Sequence, residues 1–181
     1  MTVRSEKSEL GNKDKDFLFD VLKRYDHFIA TTNVKAGLLL SFLGVVIFGV
    51  VLRLSLNNYA NDCQTNILVG SAFLLLASCV FVIWKLIHVV LPNTSTGNQS
   101  CSLIFFSDVA GLKTSDEYLD KLSSATQESL KNDLAEQVYF VAKVTDKKFK
   151  DLHEASNLIK CLVLPLLVIF IAAYLMKWMF S

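Results

Sequence analysis

Few residues of this chain combine a reactive side chain with the spacing that catalysis or metal binding requires. The three histidines, His27, His88 and His153, are isolated, and none has a cysteine or carboxylate at ligand spacing. The chain has no glycine-rich phosphate loop and no serine in the context of a nucleophile elbow. The sequence therefore predicts no catalytic residue, no metal site and no enzymatic activity.

Three sets of polar residues remain that could bind a ligand. Asn33 and Lys35 precede the first apolar run, and Asp108 follows the apolar residues 103–106. Each has a simpler explanation, because Lys35 could anchor the membrane edge and Asp108 could cap a turn. The third set could be a solvated helix face with i,i+4 pairing. Its members are Gln137, Tyr139, Lys143, Asp146 and Lys147.

The elements that must position these residues are dominated by three uncharged apolar runs, at residues 36–52, 67–84 and 161–176. Hydrophobic residues make up 52% of the chain, and its mean hydropathy is +0.42. Each run, with its apolar flanks, reaches roughly the 30 Å thickness of a bilayer core, where only helices satisfy the backbone in a single segment. We expect transmembrane helices at residues 34–55, 66–91 and 159–180.

The distribution of basic residues predicts the orientation of these spans. Seven lysines and arginines lie in residues 1–37, eight lie in residues 92–160, and the loop at residues 54–66 has none. Basic flanks stay cytoplasmic, so the N-terminus and residues 92–158 should lie inside and the C-terminus outside. The net charge of +1 argues against a nucleic-acid partner.

The polar segments show helical patterns of their own. Residues 1–13 lack apolar periodicity and are expected to be disordered, whereas residues 14–32 form an amphipathic helix. Its apolar stripe could pack on other cytosolic helices, which we favour, or lie in the membrane interface. Residues 92–102 have the composition of a loop, and residues 103–106 could be a strand or an extended plug.

The rest of the polar region is predicted to be helical. Thr114 and Glu117 form a capping box in which Glu117 reaches back to the Thr114 amide, and a short helix runs to about Ser123. From Thr126 one helix continues into the third span, where Pro165 could kink it. Its apolar seam resembles a coiled coil but is interrupted by two polar residues. The seam positions are Leu134, Val138, Val141, Thr145, Lys148 and Leu152.

Three segments taken together resemble motifs of the Pycsar transmembrane effectors. They are residues 29–39 at the first span, residues 103–110, and residues 133–139 followed by 142–144 on the long helix. The resemblance extends from about Asp16 to the C-terminus, although Asn33 replaces an expected Asp and Ser107 an expected Gly. The motif positions are Asn33, Lys35, Ala36, Phe105, Phe106, Asp108, Asp133, Gln137 and Tyr139.

The resemblance implies an all-α fold with two spans, a cytosolic helical domain and a third span continuous with its long helix. It also implies a non-enzymatic effector of antiphage defence in the bacterial inner membrane. Cyclic UMP or cyclic CMP from a partner pyrimidine cyclase would activate it, and membrane disruption would cause abortive infection. The activating nucleotide would be bound by residues drawn from Lys35, Phe106, Asp108, Tyr139, Lys143 and Lys147.

The expected partners are the lipid bilayer, further copies of the chain, and the cyclase through its product. An alternative from another class is a constitutive membrane scaffold whose cytosolic helices dock a protein partner.

Overall fold

The computed structural model describes residues 2–55, 63–91 and 102–179, with side chains from residue 13 in the first range and residue 65 in the second. It has six α-helices and one π-helical turn in these ranges, and no strand. The elements are α1 (Thr2–Ser55), α2 (Cys63–Val90), α3 (Phe106–Ala110), α4 (Ser115–Ser124), α5 (Gln127–Leu158), the π turn (Ile159–Val163) and α6 (Leu164–Met179).

Three helices are long and apolar enough to cross a membrane, as the sequence predicted. They are Lys13–Ser55, Thr65–Val90 and Gln127–Met179. The expectation of an all-α protein with two spans followed by one is therefore confirmed. The loop predicted at residues 92–102 lies outside the described residues except for Ser102, and most of the loop between the first two spans also lies outside them.

The chain divides into two compact units. The membrane unit consists of residues 31–91 and 148–181, and the polar unit of residues 1–30 and 92–147. Helices α1 and α5 each contribute residues to both units, because each continues from a polar sequence into an apolar one.

The membrane unit has a core of aliphatic side chains from all three apolar segments. Leu43, Leu75 and Val163 are fully buried, and they come from α1, α2 and the π turn respectively. One face of each helix packs inward while the other presents large apolar side chains outward, as lipid contact requires. A salt bridge of 3.0 Å between Lys85 and Glu154 also joins α2 to α5.

The π turn precedes Pro165 and explains how the long helix passes through a proline. Proline has no backbone N–H to donate to the carbonyl four residues earlier, and its ring crowds that carbonyl. The Leu164 amide bonds to the Ile159 carbonyl, the wider spacing of a π-helix. The structure thus shows a local change of helix type before Pro165, and the predicted kink itself stays a prediction.

In the polar unit, the predicted N-terminal cap of α4 is present, but the second hydrogen bond of the capping box has a different donor. The Thr114 hydroxyl accepts from the Glu117 amide at 3.2 Å, as expected. The Glu117 carboxylate, however, accepts from the Lys113 amide rather than from Thr114. Thr114 is extended at its N-cap position, and the Lys113 amide lies within reach of the Glu117 side chain.

Two further expectations differ from the structure. Helix α1 begins at Thr2, so the backbone is helical through most of the segment expected to be disordered. The segment expected at 14–32 and the first span are one helix, since no helix-breaking residue separates them. Lys131 of α5 forms an ion pair with Asp14 at the start of this segment. Phe17 of the apolar stripe is 67% exposed, so the favoured packing of the stripe on the polar helices stays a prediction.

Candidate functional site

A buried serine organises the turn that leads into α3. The Ser102 hydroxyl accepts from the amides of Ile104 and Phe105, at 3.1 and 2.9 Å. It donates at 2.6 Å to the Asp133 carboxylate, which also accepts from the Leu103 amide at 2.9 Å. These four residues, 102–105, are called the Ser102 turn. Its bonds to Asp133 tie it to α5.

Asp108 completes the same network from α3. Its carboxylate accepts from the Ser102 amide at 2.9 Å, so it closes the turn from the following helix. The sequence interpretation of Asp108 as a turn-capping residue agrees with this bond. The motif carboxylates of Asp108 and Asp133 thus accept hydrogen bonds from the backbone amides of residues 102 and 103. Any additional part of Asp108 in ligand binding stays a prediction.

Aromatic contacts hold the turn on both sides. The Tyr118 hydroxyl of α4 donates to the Leu103 carbonyl at 3.2 Å. The Phe105 ring packs edge-on against Phe140 of α5, with centroids 5.8 Å apart, and contacts Phe106 at 5.1 Å. The strand or extended plug predicted for residues 103–106 is therefore a bend at residues 103–105, and Phe106 is the first residue of α3.

The remaining residues predicted to bind ligand in this unit are exposed. Phe106 is 67% exposed and Tyr139 63% exposed, unusually high values for aromatic side chains. The Lys143 ammonium lies 4.6 Å from the centroid of the Tyr139 ring, one turn along α5, and Lys147 follows after another turn. Tyr139, Lys143 and Lys147 form what we call the α5 cationic face. Gln137 is half-buried.

A second polar cluster lies in the membrane unit, around Lys148. The ammonium bonds to the carbonyl of Val89, in the last turn of α2, and to the Asn33 side-chain oxygen of α1 at 3.2 Å. Lys148 is only 8% exposed and Val89 is fully buried. The last carbonyls of a helix lack intrahelical donors, and a cation there also interacts well with the helix dipole. Lys148 thus joins three helices at one point.

The structure does not place all first-span motif residues in this cluster. Ala36 is fully buried, one turn beyond Asn33, and belongs to the core of the membrane unit. Lys35 is exposed, on another face of α1. Of the first-span motif, Asn33 therefore has a polar contact with α5, Ala36 allows close packing, and the role of Lys35 in ligand binding stays a prediction.

Sequence reasoning missed the importance of Lys148, which it treated only as an imperfection in a seam. Burial follows that seam, since Leu134, Thr145, Lys148 and Leu152 are buried. Thr145 satisfies its hydroxyl by bonding to the Val141 carbonyl at 2.7 Å. A lysine at a buried seam position needs an acceptor from another element. The sequence therefore indicated that Lys148 must have an acceptor on another helix, but it could not identify that acceptor.

The apolar helices and the polar helical unit define a multi-pass α-helical membrane protein. Residues 17–176 match the family model of the Pycsar effector protein domain, and the chain belongs to this family. The match contains every residue of the Ser102 turn, the α5 cationic face and the Lys148 cluster, and it confirms the resemblance seen in the sequence. No curated protein and no solved structure matches the chain.

Proposed function

We propose that this Pycsar effector binds cyclic UMP or cyclic CMP, made by a partner pyrimidine cyclase, and then disrupts the bacterial inner membrane. Disruption would kill the infected cell before phage matures. Family membership and the three apolar helices support the effector class and the membrane location. The single structural observation behind the nucleotide proposal is an exposed aromatic ring beside lysines on α5.

The α5 cationic face has the chemistry that a cyclic pyrimidine nucleotide requires. Such a ligand carries one phosphate charge and one flat ring. Lys143 and Lys147 can neutralise the phosphate, while Tyr139 or Phe106 offers a ring for stacking, worth about 1–3 kcal/mol per base. Asp108 would repel the phosphate if it were in direct contact, so we assign it to holding the Ser102 turn.

Lys35 belongs to the membrane unit, and we do not include it with the α5 cationic face. The Lys35 ammonium could serve a phosphate or the lipid head groups, because both are anions. Testing Lys35→Gln beside the α5 variants separates the two uses. Loss of nucleotide affinity would assign it to the ligand, and unchanged affinity would assign it to the membrane edge.

Helix continuity suggests how ligand binding would reach the membrane. Residues 127–147 of α5 belong to the polar unit and residues 148–158 to the membrane unit, with the π turn and α6 following. A ligand can change this equilibrium only through a difference in its affinity for two states. We propose that binding to the α5 face favours a state in which the Lys148 cluster is rearranged.

Assembly of several copies would accompany activation. The first span has a face of small residues, where a Cβ added at Gly37 or Gly44 meets no described atom within 4 Å. Ser41, between them, is exposed and donates to the Gly37 carbonyl of its own helix. Small faces let membrane helices approach closely, and we propose that this face contacts a second copy.

The experiment that tests the function uses full-length protein reconstituted in phosphatidylethanolamine–phosphatidylglycerol vesicles loaded with a self-quenching dye. Addition of cyclic UMP or cyclic CMP should release dye, whereas cyclic AMP should not. Tyr139→Leu and Lys143→Gln should each weaken nucleotide binding, measured by calorimetry, by about tenfold. Lys113→Gln, an exposed lysine near α4, is the matched control.

No binding of either pyrimidine nucleotide to inserted protein would refute the proposal and favour a constitutive scaffold. Binding without dye release would refute the disruption step alone. Orientation is tested separately, by attaching a membrane-impermeant thiol reagent to single cysteines placed near Gln127 and Ser181. We expect labelling in intact spheroplasts only at the C-terminal position, because basic residues flank the polar unit.

A further inference from the structure

Among the described residues of the membrane unit, three buried polar atoms have no hydrogen-bond partner. They are Arg53 Nε, Thr65 Oγ1 and Lys177 Nζ. Thr65 is only 4% exposed as a residue. An unpaired donor is costly in the interior of a membrane protein, and ionisable groups found there often mark a binding site. A ligand at this place could satisfy all three groups.

The helix topology brings these groups to one end of the membrane unit. Arg53 lies in the last turn of α1, Thr65 in the first turn of α2, and Lys177 in the last turn of α6. Helices α2 and α6 pack against each other. The C-terminal turn of α2 contacts Lys148, before the π turn, so the N-terminus of α2 lies towards the C-terminal end of α6. This end is the opposite one from the Lys148 cluster, which includes the C-terminus of α2.

An aromatic ring fixes one of the two cations. The Arg53 guanidinium carbon lies 4.1 Å from the centroid of the Tyr174 ring, a cation–π contact between α1 and α6. Tyr174 is three residues before Lys177, so both side chains project from the same face of α6. The guanidinium and the ammonium are therefore held on one side of α6.

The electrostatics of this end favour an anion. The described acidic residues of the membrane unit are Asp151 and Glu154, both on α5 before the π turn, and Glu154 pairs with Lys85. Two cations thus share this end with the N-terminus of α2, where the helix dipole places partial positive charge. Within the described part of the unit, no carboxylate at this end offsets them.

We propose that Arg53, Lys177 and Thr65 form a binding site for the phosphate of an anionic phospholipid head group. The guanidinium fork matches two phosphate oxygens, the ammonium supplies a second charge, and the threonine hydroxyl donates a further bond. Basic pockets between membrane helices bind head groups of this kind. The ends of spanning helices are also where the phosphates of a bilayer lie.

The test uses delipidated full-length protein in dodecyl maltoside. Native mass spectrometry measures retained dioleoyl phosphatidylglycerol and dioleoyl phosphatidylcholine, and thermal unfolding is followed with each lipid or with inorganic phosphate. Arg53→Gln and Lys177→Gln should each reduce phosphatidylglycerol retention about tenfold. Lys160→Gln, an exposed lysine of the π turn, should retain wild-type binding.

Thr65→Val keeps the proposal testable if the charge variants fold poorly. Valine has nearly the same shape and removes the unpartnered hydroxyl, so the lipid-free protein should unfold at an equal or higher temperature. Retention of phosphatidylglycerol should nevertheless fall several-fold. Loss of retention together with a lower lipid-free unfolding temperature would assign Thr65 to packing and overturn its part in the site.

Comparing phosphatidylglycerol with inorganic phosphate shows whether the site binds a lipid head group or a free anion. Stabilisation by phosphatidylglycerol that Arg53→Gln abolishes supports the lipid site, whereas equal stabilisation by inorganic phosphate supports a free-anion site with the same residues. Equal lipid retention by wild type and both charge variants overturns the proposal. Asp62 lies outside the described residues. If Asp62→Asn lowers lipid-free stability and abolishes the lipid dependence of the unfolding temperature, the cations have an internal partner and the proposal fails.

Discussion

Replacing Lys148 by methionine tests whether one buried ammonium holds the membrane unit together. Methionine has a similar length and no charge, so the change removes two hydrogen bonds without leaving a large cavity. The Val89 carbonyl and the Asn33 side-chain oxygen lose their donor. Val89 is fully buried, and water cannot easily replace that donor.

The magnitude follows from two opposing effects. An acceptor left without a donor costs about 1–3 kcal/mol where it is fully buried, as at Val89, and less where it is half-buried, as at Asn33. Against this loss, the variant no longer buries an ammonium that is only 8% exposed, which is itself unfavourable. We expect the two orphaned acceptors to outweigh the relieved burial, with a net destabilisation of about 2 kcal/mol. For a chain of this length, that lowers the Tm by about 4–8 °C.

The assay is thermal unfolding of full-length protein in dodecyl maltoside, followed by near-ultraviolet circular dichroism of Trp84 and Trp178. Lys147→Met, at the exposed neighbouring position, is the control and should change stability by less than about 0.5 kcal/mol. Combining Lys148→Met with Asn33→Leu removes one orphaned acceptor and should recover about 1 kcal/mol.

The opposite result would refute this reasoning. Buried charges are sometimes less stable than well-packed apolar residues of similar volume. An unchanged or raised Tm for Lys148→Met would show that burial of the ammonium costs at least as much as its two bonds contribute. The Lys148 cluster would then be a candidate for conformational control with no net contribution to stability.

Three further predictions concern the polar unit. Asp133→Asn weakens the charge-assisted bond from Ser102, so amide hydrogen exchange at residues 102–105 should accelerate about tenfold, whereas Asp116→Asn should leave it unchanged. Thr114→Ala removes the cap of α4 and should destabilise that helix by about 1 kcal/mol, measured by hydrogen exchange at residues 117–121. The Lys113 amide and then Lys121 hold the pKa of Glu117 below its usual value. The stabilisation from Glu117 should therefore be complete above its unfolded pKa and disappear as pH falls through the folded value, and Glu117→Gln should remove this part of the pH dependence.

Each of these three has a clear contrary outcome. Unchanged exchange in Asp133→Asn would mean that the Ser102 turn is held by its aromatic contacts alone. Equal protection of α4 in Thr114→Ala would show that packing, and not the cap, sets the start of this helix. If the free energy of unfolding depended on pH identically in the wild type and in Glu117→Gln, the contacts of Glu117 in the folded state would not be the cause of its lowered pKa.

Much of the architecture could be predicted because it depends on local patterns. Three apolar runs of bilayer length are helices whatever their neighbours, since the lipid offers the backbone no other partner. The cap of Thr114 and the buried seam of α5 were likewise read from residues within one or two turns. The extension of α1 back to Thr2 was not predicted from local composition. A polar segment that continues a stable helix avoids the cost of nucleation and needs little intrinsic propensity to be helical.

The sequence by itself determined that this chain crosses a membrane, carries a separate polar helical unit and resembles the Pycsar effectors. Only the tertiary structure decided where its isolated polar groups find partners. Ser102 and Asp133 are separated by 31 residues and Asn33 and Lys148 by 115, so no local period relates them. A buried polar group needs a partner wherever the fold can supply one, and that choice depends on helix packing in three dimensions.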